Sequence, residues 1–275
     1  MIQSDILLSA IAFIGISISS IVDIKTREIP NWTNFSMIAA ALAIRLMHSI
    51  TFSQRSYFLY GLLGLSLMFI LGNLMYYTKQ WGGGDSKLLF AIGAIFATKP
   101  YFVKEFPIPF LAVIFIAILL SGFFYSFIFS LILAIKYRKK FFKEIKEIHN
   151  TSRKIRYTSF GSAVLLAILS LFIKSFLVPL MLSLSALIIF SVYWILFSKA
   201  VEKACLTKII QVSKLTEGEW IVDEKIRNKF KISKLGIEKY QIEQLKKAKI
   251  KEVLIKEGIP FAPSFLLALI IILLI

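Results

Sequence analysis

The stretch Trp81-Gly82-Gly83-Gly84-Asp85-Ser86-Lys87 follows an apolar run of about twenty residues and precedes another. An acidic residue therefore stands where chain meets bilayer. Carboxylates at that depth are expensive, so an ionisable group beside a membrane span is a functional hypothesis by default. Its partner is expected to be Asp23, which ends the first apolar run in the same manner.

Working outward, 57% of the 275 residues are hydrophobic and the mean hydropathy is +0.77, well above that of a soluble domain. Several uncharged stretches are long enough to cross a hydrocarbon core of roughly 30 Å, which makes this a polytopic membrane chain. The formal net charge of +17 raises the question of nucleic acid. The basic residues lie between or after apolar spans, however, so membrane topology accounts for them and no nucleic-acid partner is expected. The single cysteine, Cys205, excludes an intrachain disulfide and a cysteine-clustered zinc site. The N-terminus has no basic region of a cleavable signal, so the first apolar run reads as a retained span.

About eight spans are expected, at roughly 5–22, 32–50, 57–78, 86–98, 108–135, 159–173, 175–197 and 259–275. Pro30 and Asn31 read as a turn into the second span. Arg45 and His48 lie near the far end of that span, where a long side chain is expected to snorkel to the interface. The two spans after residue 158 read as a hairpin around Lys174. The expected organisation is a core over 1–135, a basic loop over 136–158, a transmembrane hairpin over 159–197, a cytoplasmic module over 198–258 and a last span over 259–275. In the module, Ile237, Tyr240, Ile242, Leu245, Ile250 and Val253 are interspersed with lysines and glutamates, which suggests a small α or α+β unit with a thin core. If the loop holding Lys25 and Arg27 is cytoplasmic, alternation puts the glycine stretch, 136–158 and 198–258 on the same side. The opposite loops then hold only Arg55, Lys99, Lys104 and Lys174, as the positive-inside rule requires. Asp23 and Asp85 come out at one depth.

Two carboxylates a few ångströms apart cannot both ionise cheaply, so the pair retains one proton. That arrangement suits peptide hydrolysis: the ionised partner takes a proton from attacking water while the protonated one hydrogen-bonds the carbonyl oxygen. No metal and no cofactor is needed. Gly82, Gly83 and Gly84 admit a substrate backbone and conformations that other residues avoid. Lys87 is expected to balance charge or contact a carbonyl. The bland reading makes the glycines a flexible turn and Asp85 a helix cap. No Gly-Lys-Ser/Thr follows at the spacing of a phosphate loop, and neither His48 nor His149 sits in His-Glu-x-x-His, which removes the zinc-protease option.

These residues resemble the membrane aspartic peptidases that process type IV prepilins and archaeal preflagellins. Their Gly-x-Gly-Asp-x-Lys motif is met by Gly82-Gly83-Gly84-Asp85-Ser86-Lys87, and their first motif by Asp23, Lys25, Arg27, Ile29, Pro30 and Asn31. The resemblance covers roughly 1–135 and implies catalytic roles for Asp23 and Asp85, with Lys25, Arg27, Pro30, Asn31, Lys87 and the glycines shaping the site or binding substrate. In the presenilin group the first aspartate follows tyrosine; here Val22 precedes it. The chain lacks the cysteine-paired N-terminal insertion of bacterial members, so peptidase without methyltransferase activity is expected. The segments around residues 214–220 and 256–263 look like an archaeal C-terminal extension.

The reading is an all-α polytopic membrane endopeptidase that removes a basic leader at the cytoplasmic face, with prepilins as the favoured substrates and preflagellins as the alternative. Anionic lipids are the expected partners of the basic loops, and the sequence sets no oligomeric state. A cation-coupled transporter is the alternative of another class. Transporters place such groups near the midplane between internal repeats, whereas these lie at span ends and no repeat links the halves. A non-catalytic assembly platform is a third reading, in which Asp85→Asn would leave function intact.

Overall fold

In the computed structural model, which describes residues 2–173, 177–233 and 236–274, the chain divides into two compact units: Met1–Ile128 with Gly258–Ile275, and Phe129–Glu257. The expected turn at Lys174 lies outside the described residues.

The first unit opens with α1 (Ile2–Thr26), whose buried Leu8, Ala12 and Ile16 repeat every four residues on one face. Ile6, Leu7, Phe13, Ile14 and Ile21 point outward, as lipid-facing side chains do. The helix runs on past Asp23 instead of stopping there, because Ile24, Lys25 and Thr26 all tolerate helix. It ends at Arg27, whose φ of 62° is left-handed and whose N–H still reaches the Asp23 carbonyl at 2.9 Å. Pro30, extended at φ −62° and ψ 133°, then starts α2 (Asn31–Thr51), followed by α3 (Arg55–Tyr77) and α4 (Gly83–Ile95). Helix α5 (Phe110–Lys136) begins in this unit.

Helix α4 is the pivot of the unit, with Leu88, Leu89, Ala91, Ile92, Ala94 and Ile95 all buried. It crosses α3 so closely that a Cβ on Gly64 would strike the Gly93 carbonyl oxygen, and one on Gly93 the Gly64 oxygen. Close approach through small residues is how helices associate where lipid supplies no hydrophobic drive between them. The far end of α4 is held by Arg45, which is fully buried. Its Nε donates to the Ala94 carbonyl at 2.8 Å, its Nη2 to the Ile95 carbonyl at 2.9 Å and Thr98 Oγ1 at 3.1 Å, and its Nη1 to the Tyr57 carbonyl at 3.1 Å. Snorkelling is thus overturned for Arg45: the terminal carbonyls of a buried helix need donors, and the guanidinium supplies them. His48 is also inward, between the rings of Phe52 and Tyr57, with Nδ1 2.9 Å from Ser4 Oγ.

Among the described residues, five helices, α1, α3, α5, α7 (Arg153–Leu171) and α8 (Leu177–Val201, extended by a π-turn to Leu206), are long and apolar enough to cross a membrane. The remaining expected spans correspond to α2, α4 and α11 (Ala262–Leu274). At 13 residues each, α4 and α11 extend only about 20 Å. The chain is a polytopic helical membrane protein.

The second unit contains the rest of α5, then α6 (Arg138–Thr151), α7 and α8. Residues 136–158 are therefore helical rather than a loop. In α6, Phe141 and Ile148, seven residues apart, are buried, which leaves the lysines and arginines to cover the remaining face. A three-stranded antiparallel sheet follows, β1 (Thr207–Gln211), β2 (Trp220–Ile221) and β3 (Glu252–Lys256), in the order β1-β3-β2. With α9 (Glu224–Lys229) and α10 (Lys239–Lys247) it forms the expected small α+β module. Ile237, Ile242, Leu245 and Val253 enter its core. Ile250 only packs against it, and Tyr240 is exposed, since α10 turns its buried stripe through 241, 242 and 245.

Candidate active site

Asp23 projects from the last turns of α1 and is buried. Its Oδ2 accepts the peptide N–H of Ala262, the first residue of α11, at 2.9 Å. The carboxylate therefore sits at the positive end of a helix from the opposite end of the sequence.

Asp85 occupies the first turn of α4, where its Oδ2 accepts the Gly82 N–H at 3.1 Å. The Gly82 carbonyl in turn accepts from the Ser86 N–H and hydroxyl, both at 3.2 Å. This is the helix cap of the bland reading, but only one oxygen serves it. Oδ1 of Asp85 is out of contact with solvent and has no donor among the described residues.

The chain after Asp23 is fastened onto the chain around Asp85. Asn34 Nδ2 donates to the Gly84 carbonyl at 3.3 Å, and Lys87 Nζ to Asn31 Oδ1 at 2.8 Å. A Cβ added to Gly84 would stand 2.8 Å from the Ile29 Cβ, so glycine there lets the turn lie against α4. None of the three glycines has a positive φ. At Gly84 the expected conformational licence gives way to a need for space. Thr33, buried, accepts from Ser19 at 3.1 Å and donates to the Pro30 carbonyl at 2.7 Å, which fixes the turn to α1.

The charge on Asp23 acts on Asp85, and Arg27 and Tyr125 are the other ionisable groups whose fields meet Asp23. Arg27 Nη1 also donates to the Gly258 carbonyl at 3.0 Å. Of the residues singled out in the sequence, Asp23, Arg27, Pro30, Asn31, Gly82, Gly83, Gly84, Asp85 and Lys87 gather at this end of the unit. Lys25 is exposed on the last turn of α1, and Lys87 reaches Asn31 rather than a carboxylate. Among the described residues, no three His, Cys, Asp or Glu side chains group as metal ligands.

Missed in the sequence were Gly258, Phe261 and Ala262, and with them Trp81. The buried Trp81 ring packs against Phe115, Phe261 and Phe265 at centroid distances of 6.2, 5.5 and 5.5 Å. The one local signal was the pair of prolines, Pro260 and Pro263, that brackets Phe261 and Ala262 at a helix start.

Residues 10–135 match the model of the Type IV leader peptidase family. The resemblance seen in the two motifs is thus borne out over that part of the chain. A preflagellin peptidase of Methanococcus voltae is 35% identical over 86 residues, which is 31% of this chain and 36% of that protein. One from Methanocaldococcus jannaschii is 34% identical over 82 residues, 30% of this chain and 35% of its own length. One from Methanococcus maripaludis is 31% identical over 85 residues, with 31% and 36% covered. The chain spans about a third of the length of these curated relatives.

Proposed function

We propose that the protein is a membrane-embedded aspartic endopeptidase that removes a short basic leader from preflagellin-type substrates, with Asp23 and Asp85 as its catalytic pair. The observation that carries this is the unequal provision for two interacting carboxylates. Asp23 holds a helix N–H and lies in the field of Arg27, whereas Asp85 keeps one buried oxygen without a donor among the described residues. A buried anionic oxygen without a donor is costly, so that oxygen is the place for the shared proton.

In the resulting mechanism, Asp23 as the anion takes a proton from water while the water oxygen attacks the scissile carbonyl. Asp85 donates its hydrogen bond to the carbonyl oxygen as negative charge gathers there. Collapse of the tetrahedral adduct breaks the C–N bond, and a proton passes from the carboxyl pair to the leaving amine. The substrate's apolar helix stays in lipid, and its cleavage site meets the aspartates at the cytoplasmic edge. The basic face of α6 then lies by anionic headgroups, each cation adding on the order of 1 kcal/mol.

The sequence alone favoured prepilins. The names of the similar proteins turn the preference to preflagellins, while the family description keeps prepilins as the second reading. A carboxyl pair at span ends, seated on helix N-termini, speaks for hydrolysis over cation-coupled transport. The test is purified full-length protein in lipid nanodiscs, incubated with a preflagellin and, separately, a prepilin. Leader release that is lost in Asp23→Asn and in Asp85→Asn is expected, and its survival in either variant removes the pair. Release from the prepilin alone reverses the substrate assignment.

A further inference from the structure

The C-terminal segment is tied to the candidate site at several points, although it lies outside the family match over residues 10–135. Ala262 donates its N–H to Asp23, and the Gly258 carbonyl accepts from Arg27 at the end of α1. The Phe261 ring fills the space where a Cβ on Gly122 of α5 would be, and with Phe265 it packs at a tilt against Trp81. Trp81 is followed directly by Gly82, whose N–H holds Asp85. One short segment thus reaches Asp23 through a hydrogen bond and the Asp85 loop through an aromatic contact.

We propose that the start of α11 is a positioning element for the reaction: the Ala262 N–H fixes the orientation and the ionised state of Asp23, and Phe261 fixes the loop that presents Asp85. This rests on the peptidase reading. A carboxylate in the bilayer has free choice of rotamer unless something holds it, and a base misplaced by about 1 Å costs on the order of a hundredfold in rate. The Ala262 N–H supplies that hold and also stabilises the anion, as a donor at a helix N-terminus does. Among the described residues, Asp85 from α4 repels Asp23, Arg27 attracts it, Tyr125 from α5 is neutral, and the α11 terminus attracts it.

The decisive change exchanges one peptide N–H for an ester oxygen; it also weakens the Phe261 carbonyl, which accepts from the Ser264 N–H and hydroxyl. Replacing Ala262 with lactic acid by nonsense suppression turns the peptide N–H into an ester oxygen in the full chain, while Ala262→Gly keeps the N–H. On the preflagellin substrate, the ester protein is expected to lose about tenfold in kcat with KM within about twofold. The acidic limb of its rate profile should move up by about one pH unit, the worth of a hydrogen bond to a charged group. Ala262→Gly, which keeps the donor to Asp23, should move the acidic limb less than the ester does. Unchanged kcat and pH profile in the ester protein overturn the proposal. A second measurement needs neither catalysis nor that variant: amide exchange of the peptide spanning Ala262, read by mass spectrometry, should accelerate about tenfold in Asp23→Ala, the equivalent of one lost bond. An unchanged exchange rate also overturns it. Should no leader peptide be cut by the parent protein, the peptidase reading falls, and the exchange result alone decides whether α11 holds Asp23.

Discussion

The two ends of helix α1 each carry a buried aspartate, and they are treated differently. At the N-terminal end, Asp5 has both oxygens occupied: Tyr57 donates its hydroxyl at 3.0 Å to one, and the Tyr101 N–H reaches the other at 3.2 Å. The Arg45 guanidinium lies 4.5 Å from the centre of the same Tyr57 ring and places its own donors on four acceptors. The atoms at this end of the helix without a partner among the described residues, His48 Nε2 and Ser9 Oγ, belong to an imidazole and a hydroxyl. At the other end, the field of Asp23 reaches a second carboxylate, Asp85, one of whose oxygens has no donor among the described residues. Burial of charge alone therefore does not mark a reactive site. The mark is incomplete satisfaction, since fully paired polar networks rigidify a fold and unpaired atoms hold free energy available to a substrate or water.

The contrast breaks most visibly in activity. Asp23→Asn and Asp85→Asn should each lower leader cleavage by about a thousandfold, the scale of general acid–base catalysis, with unfolding unchanged. Asp5→Asn should leave the cleavage rate within about threefold once folded. An equal loss at Asp5 would erase the distinction between the ends. The opposite pattern is expected of Arg45→Met, which strands the Ala94, Ile95 and Tyr57 carbonyls and should cost about 3 kcal/mol in reversible unfolding from mixed micelles. Gly93→Ala sets a methyl against the Gly64 carbonyl and should cost about 2 kcal/mol by forcing α3 from α4, read in the same assay. Tyr57→Phe removes one donor from Asp5 and should cost about 1–2 kcal/mol. Lys87→Met, on an exposed hydrogen bond to Asn31, should shift stability by no more than about 0.5 kcal/mol. A large loss there would mean that this hydrogen bond is needed to hold the turn against α4.

The apolar runs and the two aspartate motifs were legible because both are local signals, one of composition and one of spacing. Arg45 was misjudged because its position near a span end is the same whether it snorkels or caps a neighbour; only the arrival of Ala94 and Ile95 from α4 decides between the two. The basic stretch 136–158 hid a helix because its charges outnumber the two buried residues, Phe141 and Ile148, that give α6 its inner face. Ala262 was invisible for a different reason. What it contributes is a backbone N–H, which every residue but proline has, and its partner Asp23 is 239 positions away. The role of the three glycines was read from what glycine permits, when the requirement at Gly84 was the width of the Ile29 side chain.

That separation of 239 residues also sets an order of events in time. A ribosome adding roughly 5–20 residues each second delivers Ala262 some ten to fifty seconds after Asp23. Within that interval α2, α3 and α4 are made first, and the whole of Phe129–Glu257 follows before Ala262 appears. The donor that steadies Asp23 arrives with the last helix described, so a nascent chain carries its acidic side chains into the lipid long before they are in working order.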